Sequence, residues 1–398
     1  MFERHLKAEL VAEAARMPVV TVMGPRQSGK TTLVRAAFGA THRYVSLERP
    51  DTRMEALEDP RSFLGRLAGG AILDEVQRAP DLLSYIQGIV DEAGRPGRFI
   101  LTGSQNLLLM ETVSQTLAGR TAIFQLLPLS VHELIGRGGP DPETLDQLGP
   151  VGSPPDFPLW ELLWRGLYPR IHDQGLDPTR WLGDYFRTYV ERDLREVTRV
   201  MDLDVFERFV QLVAARTGQE LNYMSLAADA GVSQPTAKSW ITALRISFIV
   251  ALLPAFHDNY RKRLRKRSKI HFLDTGLACY LLGIRDPETL SRHPLRGHLF
   301  ESFVASELIK NYYNRGIDPR LYHWRDATGH EIDLLVDVGG RQIPVEVKSG
   351  STIGSDFLDS LKWWTALPGN ANEGGVLVHG GSEAALRSGF VLRPWFLA

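Results

Sequence analysis

Three groups of residues in this 398-residue sequence have the types and spacing that chemistry needs. The first is "GPRQSGKTT", residues 24–32, which fills every required position of the pattern G-x-x-x-x-G-K-[ST]. Such a loop turns backbone N–H groups inward around phosphates, and bulky side chains at its glycines would block the approach. Gly24, Pro25, Arg26, Gln27, Ser28 and Gly29 would line the cradle. Lys30 would reach the β- and γ-phosphates of ATP, with Thr31 placing its hydroxyl on Mg²⁺ and Thr32 beside it. The second group is Asp74 and Glu75 in "GGAILDEVQRAP". Asp74 would hold Mg²⁺, and Glu75 would orient and deprotonate the attacking water. The third is Asp333, Glu346 and Lys348 in "HEIDLLVDVGGRQIPVEVKSG". Two carboxylates that hold Mg²⁺ or Mn²⁺, with a lysine beside them, could hydrolyse a phosphodiester.

Each group needs elements to position it. Val19 to Met23 form an apolar, β-branched run, so the phosphate loop joins a strand to a helix. Ala71 to Leu73 read as a buried strand with Asp74 and Glu75 at its carboxyl end, where open parallel sheets bind their ligands. A further strand, "RFILTGS", ends in Thr102, Ser104 and Gln105, any of which could sense the γ-phosphate. Arg120, in "LAGRTAIFQLLPLSVHEL", reads either as a salt-bridged surface arginine or as a charge that stabilises the transferring phosphoryl group. The third group sits on a predicted hairpin with a Gly-Gly turn. Glu346 and Lys348 are two apart and share a face. Ile332 and Leu334 fall on the face opposite Asp333. Glu301 lies on the amphipathic helix "GHLFESFVASELIKNYY", beside Phe300 and Phe303.

The segments "GPRQSGKTTL", "AILDEVQ", "FILTGSQ" and "LAGRTAIFQLLPLSVHEL" resemble the prokaryotic AAA-type ATPases that carry a C-terminal domain catalogued as DUF4143. The resemblance spans nearly the whole chain. It implies an ATPase with Lys30, Thr31, Asp74 and Glu75 in the roles above, and it raises Arg120 as a nucleotide-sensing arginine. The order helix-Glu, strand-Asp, strand-Glu-x-Lys is similar to the PD-(D/E)xK nuclease superfamily. On that likeness Glu301, Asp333, Glu346 and Lys348 are its catalytic set, with "HEID" where the first motif usually carries a proline.

Between these centres, "GRGGPDPETLDQLGPVGSPPDFP" reads as a linker or surface loop. "YVERDL" carries Arg192, which reads as a member of a salt-bridge cluster rather than as an arginine finger. "LNYMSLAADAGVSQPTAKSWITALRISFIVALLPAF" has the rhythm of a helix-turn-helix followed by the strands of a wing. Gln234, Thr236, Lys238 and Ser239 would face a DNA groove, unless the module is a lid on the ATPase. The run "RKRLRKRSK", residues 261–269, is either a solvated loop or a nucleic-acid contact.

Composition bounds the rest. The formal net charge is −1, so no global field draws nucleic acid. Apolar runs are too short to span a bilayer, so no membrane partner is expected. One cysteine, Cys279, rules out an intramolecular disulfide, and the cytoplasm is the default location. The expected fold class is α/β: a P-loop parallel-sheet domain over 1–135, a linker over 136–159, a helical and winged-helix-like module over 160–256, and a nuclease-like domain over 257–398. The expected partners are ATP and possible DNA, and assembly into an oligomer stays open. The expected function is ATP hydrolysis coupled to the nuclease-like domain. The alternative is an ATP-dependent switch or scaffold that binds DNA or protein and cuts nothing.

Overall fold

A computed structural model of the chain describes residues 2–104, 113, 115–149, 152–190, 202–257, 267–326, 328–367 and 374–398. Gln105, Arg192 and positions 261–266 of the basic run lie outside the described residues. The chain divides into two compact units: residues 1–128 with 246–248 and 313–317, and the remainder. The architecture is mixed α/β, with a parallel sheet at the N-terminal end, a helical middle and a separate sheet in the C-terminal part.

In the first unit five strands form one sheet: β1 (Val19–Gly24), β2 (Arg43–Ser46), β3 (Ala71–Asp74), β4 (Phe99–Ser104) and β5 (Thr121–Gln125). Their order is β2-β3-β4-β1-β5, and every pairing is parallel. A sheet covered on both faces needs apolar residues without alternation, and β1, β3 and β4 are buried throughout. Helix α1 (Leu6–Ala14) packs Leu6 and Leu10 with Val20, Val22, Ile72 and Ile100 on one face. Helix α2 (Lys30–Phe38) adds Leu33 and Val34 to that core, while α3 (Leu82–Ala93) supplies Leu82, Leu83 and Ile86 to the other face. The parallel arrangement puts the carboxyl ends of β1, β3 and β4 side by side.

The second unit carries the helical middle. Helix α4 (Leu203–Ala214) buries Phe206 and Phe209 edge-on against Trp240. Helix α5 (Tyr223–Ala230) starts at Asn222, whose side chain accepts from Met224 N and Ser225 N, and stops at Gly231 with φ of 73°. Helix α6 (Gln234–Ile246) begins where the Ser233 hydroxyl accepts from Thr236 N at 3.2 Å. These are the two helices and the turn that the sequence rhythm implies. A three-stranded sheet follows, of β6 (Gln219–Glu220), β7 (Val250–Leu253) and β8 (Lys269–Phe272), with β8 central and antiparallel to both neighbours. Next come α7 (Thr275–Leu281) and the long helix α8 (Arg296–Asn314).

The remaining sheet has six strands: β9 (Leu321–Arg325), β10 (Glu331–Val338), β11 (Arg341–Lys348), β12 (Val376–His379), β13 (Ala385–Arg387) and β14 (Phe390–Pro394), ordered β13-β14-β12-β11-β10-β9. The hairpin β10–β11 turns at Gly339 and Gly340, whose φ values of 60° and 100° suit glycine. Helix α9 (Asp359–Thr365) connects the parallel pair β11 and β12 and buries Leu361 and Trp364 against Ile332, Leu335 and Leu377. Among the described residues no helix is long and apolar enough to cross a membrane.

Candidate functional site

The first site forms at the carboxyl ends of β1, β3 and β4. Gly24 closes β1, and a Cβ there would strike the Leu126 carbonyl. Gln27 and Gly29 have φ of 63° and 95°, which curls residues 25–29 into a closed loop. Lys30 opens α2 with Thr31 and Thr32 behind it. The buried Lys30 ammonium donates to the carbonyls of Gly24 at 2.9 Å and Pro25 at 2.8 Å, so it lies within the loop's curve. Ser28 is buried, and its hydroxyl makes no hydrogen bond among the described residues. Arg4 braces the loop from outside, donating to the carbonyls of Ser28 at 2.6 Å and Leu127 at 2.7 Å.

Asp74 and Glu75 follow β3. The Thr31 hydroxyl lies 3.0 and 3.1 Å from the two oxygens of Asp74. Tyr44 donates to Asp74 at 2.6 Å, and Thr102 donates to it as well. Burial and then this bond to Asp74 push the Tyr44 hydroxyl up to about 12, so it remains a donor. Glu75 adopts φ of 59°, a left-handed conformation that costs a non-glycine residue free energy and persists where its surroundings hold it. Those surroundings are Ser104, which donates to the Glu75 carboxylate at 3.1 Å, and Gln77, which donates to it and to Ser104. The structure therefore brings together the phosphate loop, Thr31, Asp74, Glu75, Thr102 and Ser104. Sequence reasoning overlooked Tyr44 and Gln77. The second had a signal, since Gln77 ends the "DEVQ" segment.

A hydroxyl and a carboxylate, both hard oxygen donors, meet beside a loop that holds a lysine, and this donor set fits a magnesium ion. Arg120 does not join them. It stands at the start of β5, its carbonyl accepting from Val19 N at 3.1 Å, so it lies at the end of the sheet away from the loop. Its guanidinium forms a two-pronged pair with Asp91 on α3, at 2.5 and 2.9 Å, which holds the Asp91 carboxyl below its usual range. The expectation of a charge on the phosphoryl group is not met within this chain: Arg120 has the salt-bridged placement that was its other reading.

The second site is a cavity of about 820 Å³ in the C-terminal part. The register that pairs Leu334 with Val345 sets Asp333 and Glu346 next to each other. Lys348 donates to Glu346 at 2.6 Å, and Asp333 accepts from Val347 N at 2.9 Å. Glu301 reaches the same cavity from α8, so all four expected residues line it. Burial, then the charge of Asp333, pushes both Glu301 and Glu346 up to about 8. One oxygen of Glu346 is buried without a hydrogen bond among the described residues. His330 stacks on Trp363 at the rim, ring centroids 4.0 Å apart.

The residue that reasoning from sequence misplaced is Lys269. It ends the basic run expected in solvent or on nucleic acid, yet it opens β8 and is buried. Its ammonium donates to Glu301 at 2.8 Å, pairs with Glu331 and lies 3.8 Å from Asp333. Burial alone would lower its pKa, but the charges of Glu301, Asp333 and Glu331 outweigh that and hold it above the ordinary lysine value. Among the described residues no group of three histidines, cysteines or acids is disposed to hold a metal. Asp333 and Glu346, expected to bind Mg²⁺ or Mn²⁺, lie side by side, with the Lys269 ammonium 3.8 Å from Asp333 and the Lys348 ammonium 2.6 Å from Glu346.

Comparison with known proteins adds a second line of evidence. A family model described as "AAA domain" matches residues 16–135. Two described as domains of unknown function, DUF8612 and DUF4143, match residues 157–288 and 296–395. Uncharacterized proteins of Mycobacterium tuberculosis and Mycobacterium bovis are each 34% identical over 352 residues, covering 88% of this chain and 74% of theirs. Among solved structures, the Walker-type ATPase of Pyrococcus abyssi aligns with a TM-score of 0.40 at 18% identity, over 71% of this chain and 96% of that one. The chain belongs to the family of AAA-type P-loop ATPases that carry a C-terminal DUF4143 domain.

Proposed function

We propose that this protein hydrolyses ATP, and that its nucleotide state sets how a nuclease-like C-terminal domain engages DNA without cutting it. The observation that carries the hydrolytic reading is the cluster of Thr31, Asp74 and Glu75 at the mouth of the phosphate loop. Lys30 binds and orients the terminal phosphates. Thr31 and Asp74 would hold Mg²⁺, which supplies charge neutralisation at the phosphate oxygens. Glu75, held by Ser104 and Gln77, takes the proton of the attacking water. Ser104 and Thr102 link the acids to the end of β4, so a change at the γ-phosphate reaches that strand.

DNA is favoured as partner by the helix pair α5–α6. Gln234, Lys238 and Ser239 are exposed on α6, while Ala237 and Trp240 anchor its other face in the core. Metal-dependent cleavage at the hairpin is the second reading, favoured by the convergence of Asp333, Glu346 and Lys348 and opposed by Lys269 among the acids. The test is ATP turnover with and without single- and double-stranded DNA, beside nicking of supercoiled DNA in Mg²⁺ and Mn²⁺. The expected result is turnover that responds to DNA, is lost in Lys30→Ala, and is accompanied by no nicking. Turnover that survives Lys30→Ala overturns the P-loop assignment. Nicking lost in Asp333→Ala would establish the cleavage reading instead.

A further inference from the structure

Three acids from two elements, Glu301 on α8 and Glu331 and Asp333 on β10, close around one nitrogen. Hard oxygen donors are the ligands that a divalent cation takes. Here the gathering cation belongs to the chain. Lys269 is almost wholly enclosed, with 4% of its side chain exposed. Its backbone cannot swing aside, because β8 is the central strand of its sheet and Lys269 pairs with Glu220 on one side and Leu253 on the other. The second lysine of the cavity, Lys348, pairs with Glu346 and so does not compete for the three acids.

We propose that Lys269 is the resident cation of the C-terminal cavity, its ammonium standing where a divalent ion would otherwise sit among Glu301, Glu331 and Asp333, so that the cavity works without metal. Three features support it. The ammonium and a bound ion would need the same space, since a divalent ion takes oxygen ligands at roughly 2.0–2.6 Å. Displacing the ammonium would leave a buried charge without partners, which is strongly unfavourable. The lining is formally acidic, with Glu220, Glu346 and Asp359 joining these three acids against Lys269, Lys348 and Arg325, so Lys269 is not there to attract phosphate. Part of that negative charge is instead countered from within, by an enclosed ammonium. The cavity's ligand then meets the carboxyl of Glu346 and the stacked His330 and Trp363 at the rim, rather than a metal centre. The inference builds on the non-cleaving reading of the C-terminal domain and is independent of ATP hydrolysis.

The test titrates Mn²⁺ into the full, nucleotide-free chain, read by the electron paramagnetic resonance of free Mn²⁺ and by calorimetry. Wild type is expected to show no saturable site that Asp333→Asn removes. Lys269→Met removes the ammonium at similar length and should gain one site. Adding Asp333→Asn to Lys269→Met should abolish that site, and Lys269→Arg, which keeps the charge, should gain none. Circular dichroism and ATP binding verify that each variant folds. Saturable Mn²⁺ binding by wild type that is lost in Asp333→Asn overturns the proposal. So does a folded Lys269→Met that takes up no Mn²⁺. Should Lys269→Met fail to fold, the wild-type titration beside Asp333→Asn decides alone, absence of a site that Asp333→Asn removes supporting the proposal and presence of one overturning it. Because no nucleotide is present, failure here is separate from failure of the ATPase reading.

Discussion

Asp74 collects hydrogen bonds from three side chains on three different elements: Thr31 on α2, Tyr44 on β2 and Thr102 on β4. A carboxylate so held keeps one orientation, which is what a magnesium ligand needs. Partners of this kind typically change metal affinity by about 10–100-fold. Tyr44→Phe deletes one bond and little volume, so the Mg²⁺ concentration for half-maximal ATP hydrolysis should rise roughly tenfold. Turnover at saturating Mg²⁺ should recover, and an unchanged Mg²⁺ dependence would remove Tyr44 from the site. Glu75→Gln keeps shape but cannot take a proton. Turnover should drop by about 10²–10⁴-fold while ATP affinity holds, measured by single-turnover hydrolysis and equilibrium binding. Normal turnover would place the base elsewhere. Lys30, Thr31, Asp74 and Glu75 were legible in the sequence because a phosphate loop and a strand end are local geometry, fixed by a few consecutive residues. Tyr44 and Lys269 were not, since their partners lie 30 or more positions away. Lys269 was further disguised by the basic run that precedes it.

At the scale of elements, legibility tracks the hydrophobic pattern. The hairpin β10–β11 alternates and turns on Gly-Gly, so its face and register could be read ahead of the structure. Helices α5 and α6 announce themselves by Asn222, Gly231 and Ser233 at their ends. Strand β12 has no such mark. It pairs in parallel on both sides and is buried throughout, so it reads as four apolar or aromatic residues without a period. The end of β1 illustrates the same limit. The pattern requires a glycine at 24, but the reason lies in the segment after β5. Leu126 N donates to Met23 O at 2.7 Å, and this brings the Leu126 carbonyl against the Gly24 Cα. Gly24→Ala should therefore force backbone apart and destabilise the first unit by about 1–3 kcal/mol. Chemical denaturation should show it, together with weaker ATP binding. Wild-type stability in that variant would mean that β1 and the segment after β5 part more easily than their close contact implies.

At the scale of the whole molecule, the two chemical centres respond to different variables. The phosphate-loop centre is the one expected to answer to nucleotide and Mg²⁺. The C-terminal cavity answers to pH, because Glu301 and Glu346 are both carried from the usual glutamate value of 4.5 to about 8 by burial and by the charge of Asp333. The sign follows from linkage. A carboxyl raised on folding binds its proton more tightly in the native state than in the unfolded chain. Its contribution to stability is complete below about 4.5 and is lost as pH rises through about 8. Thermal unfolding should thus fall by roughly 5 °C or more between about pH 6 and pH 8.5, on the scale of one pKa unit per 1.4 kcal/mol. Glu346→Gln carries an uncharged side chain of the same shape. It should flatten that slope without altering ATP turnover, since Glu346 lies outside the phosphate-loop centre. Lys348 would then lose its partner, so the variant should gain less stability at high pH than removal of one buried charge alone would give. Scanning calorimetry across this pH range, on wild type and Glu346→Gln, reads both effects. A wild-type transition that holds level from pH 6 to 8.5 would mean that these two carboxyls stay ionised in the fold, and that Lys269 and Lys348 neutralise them more completely than burial opposes.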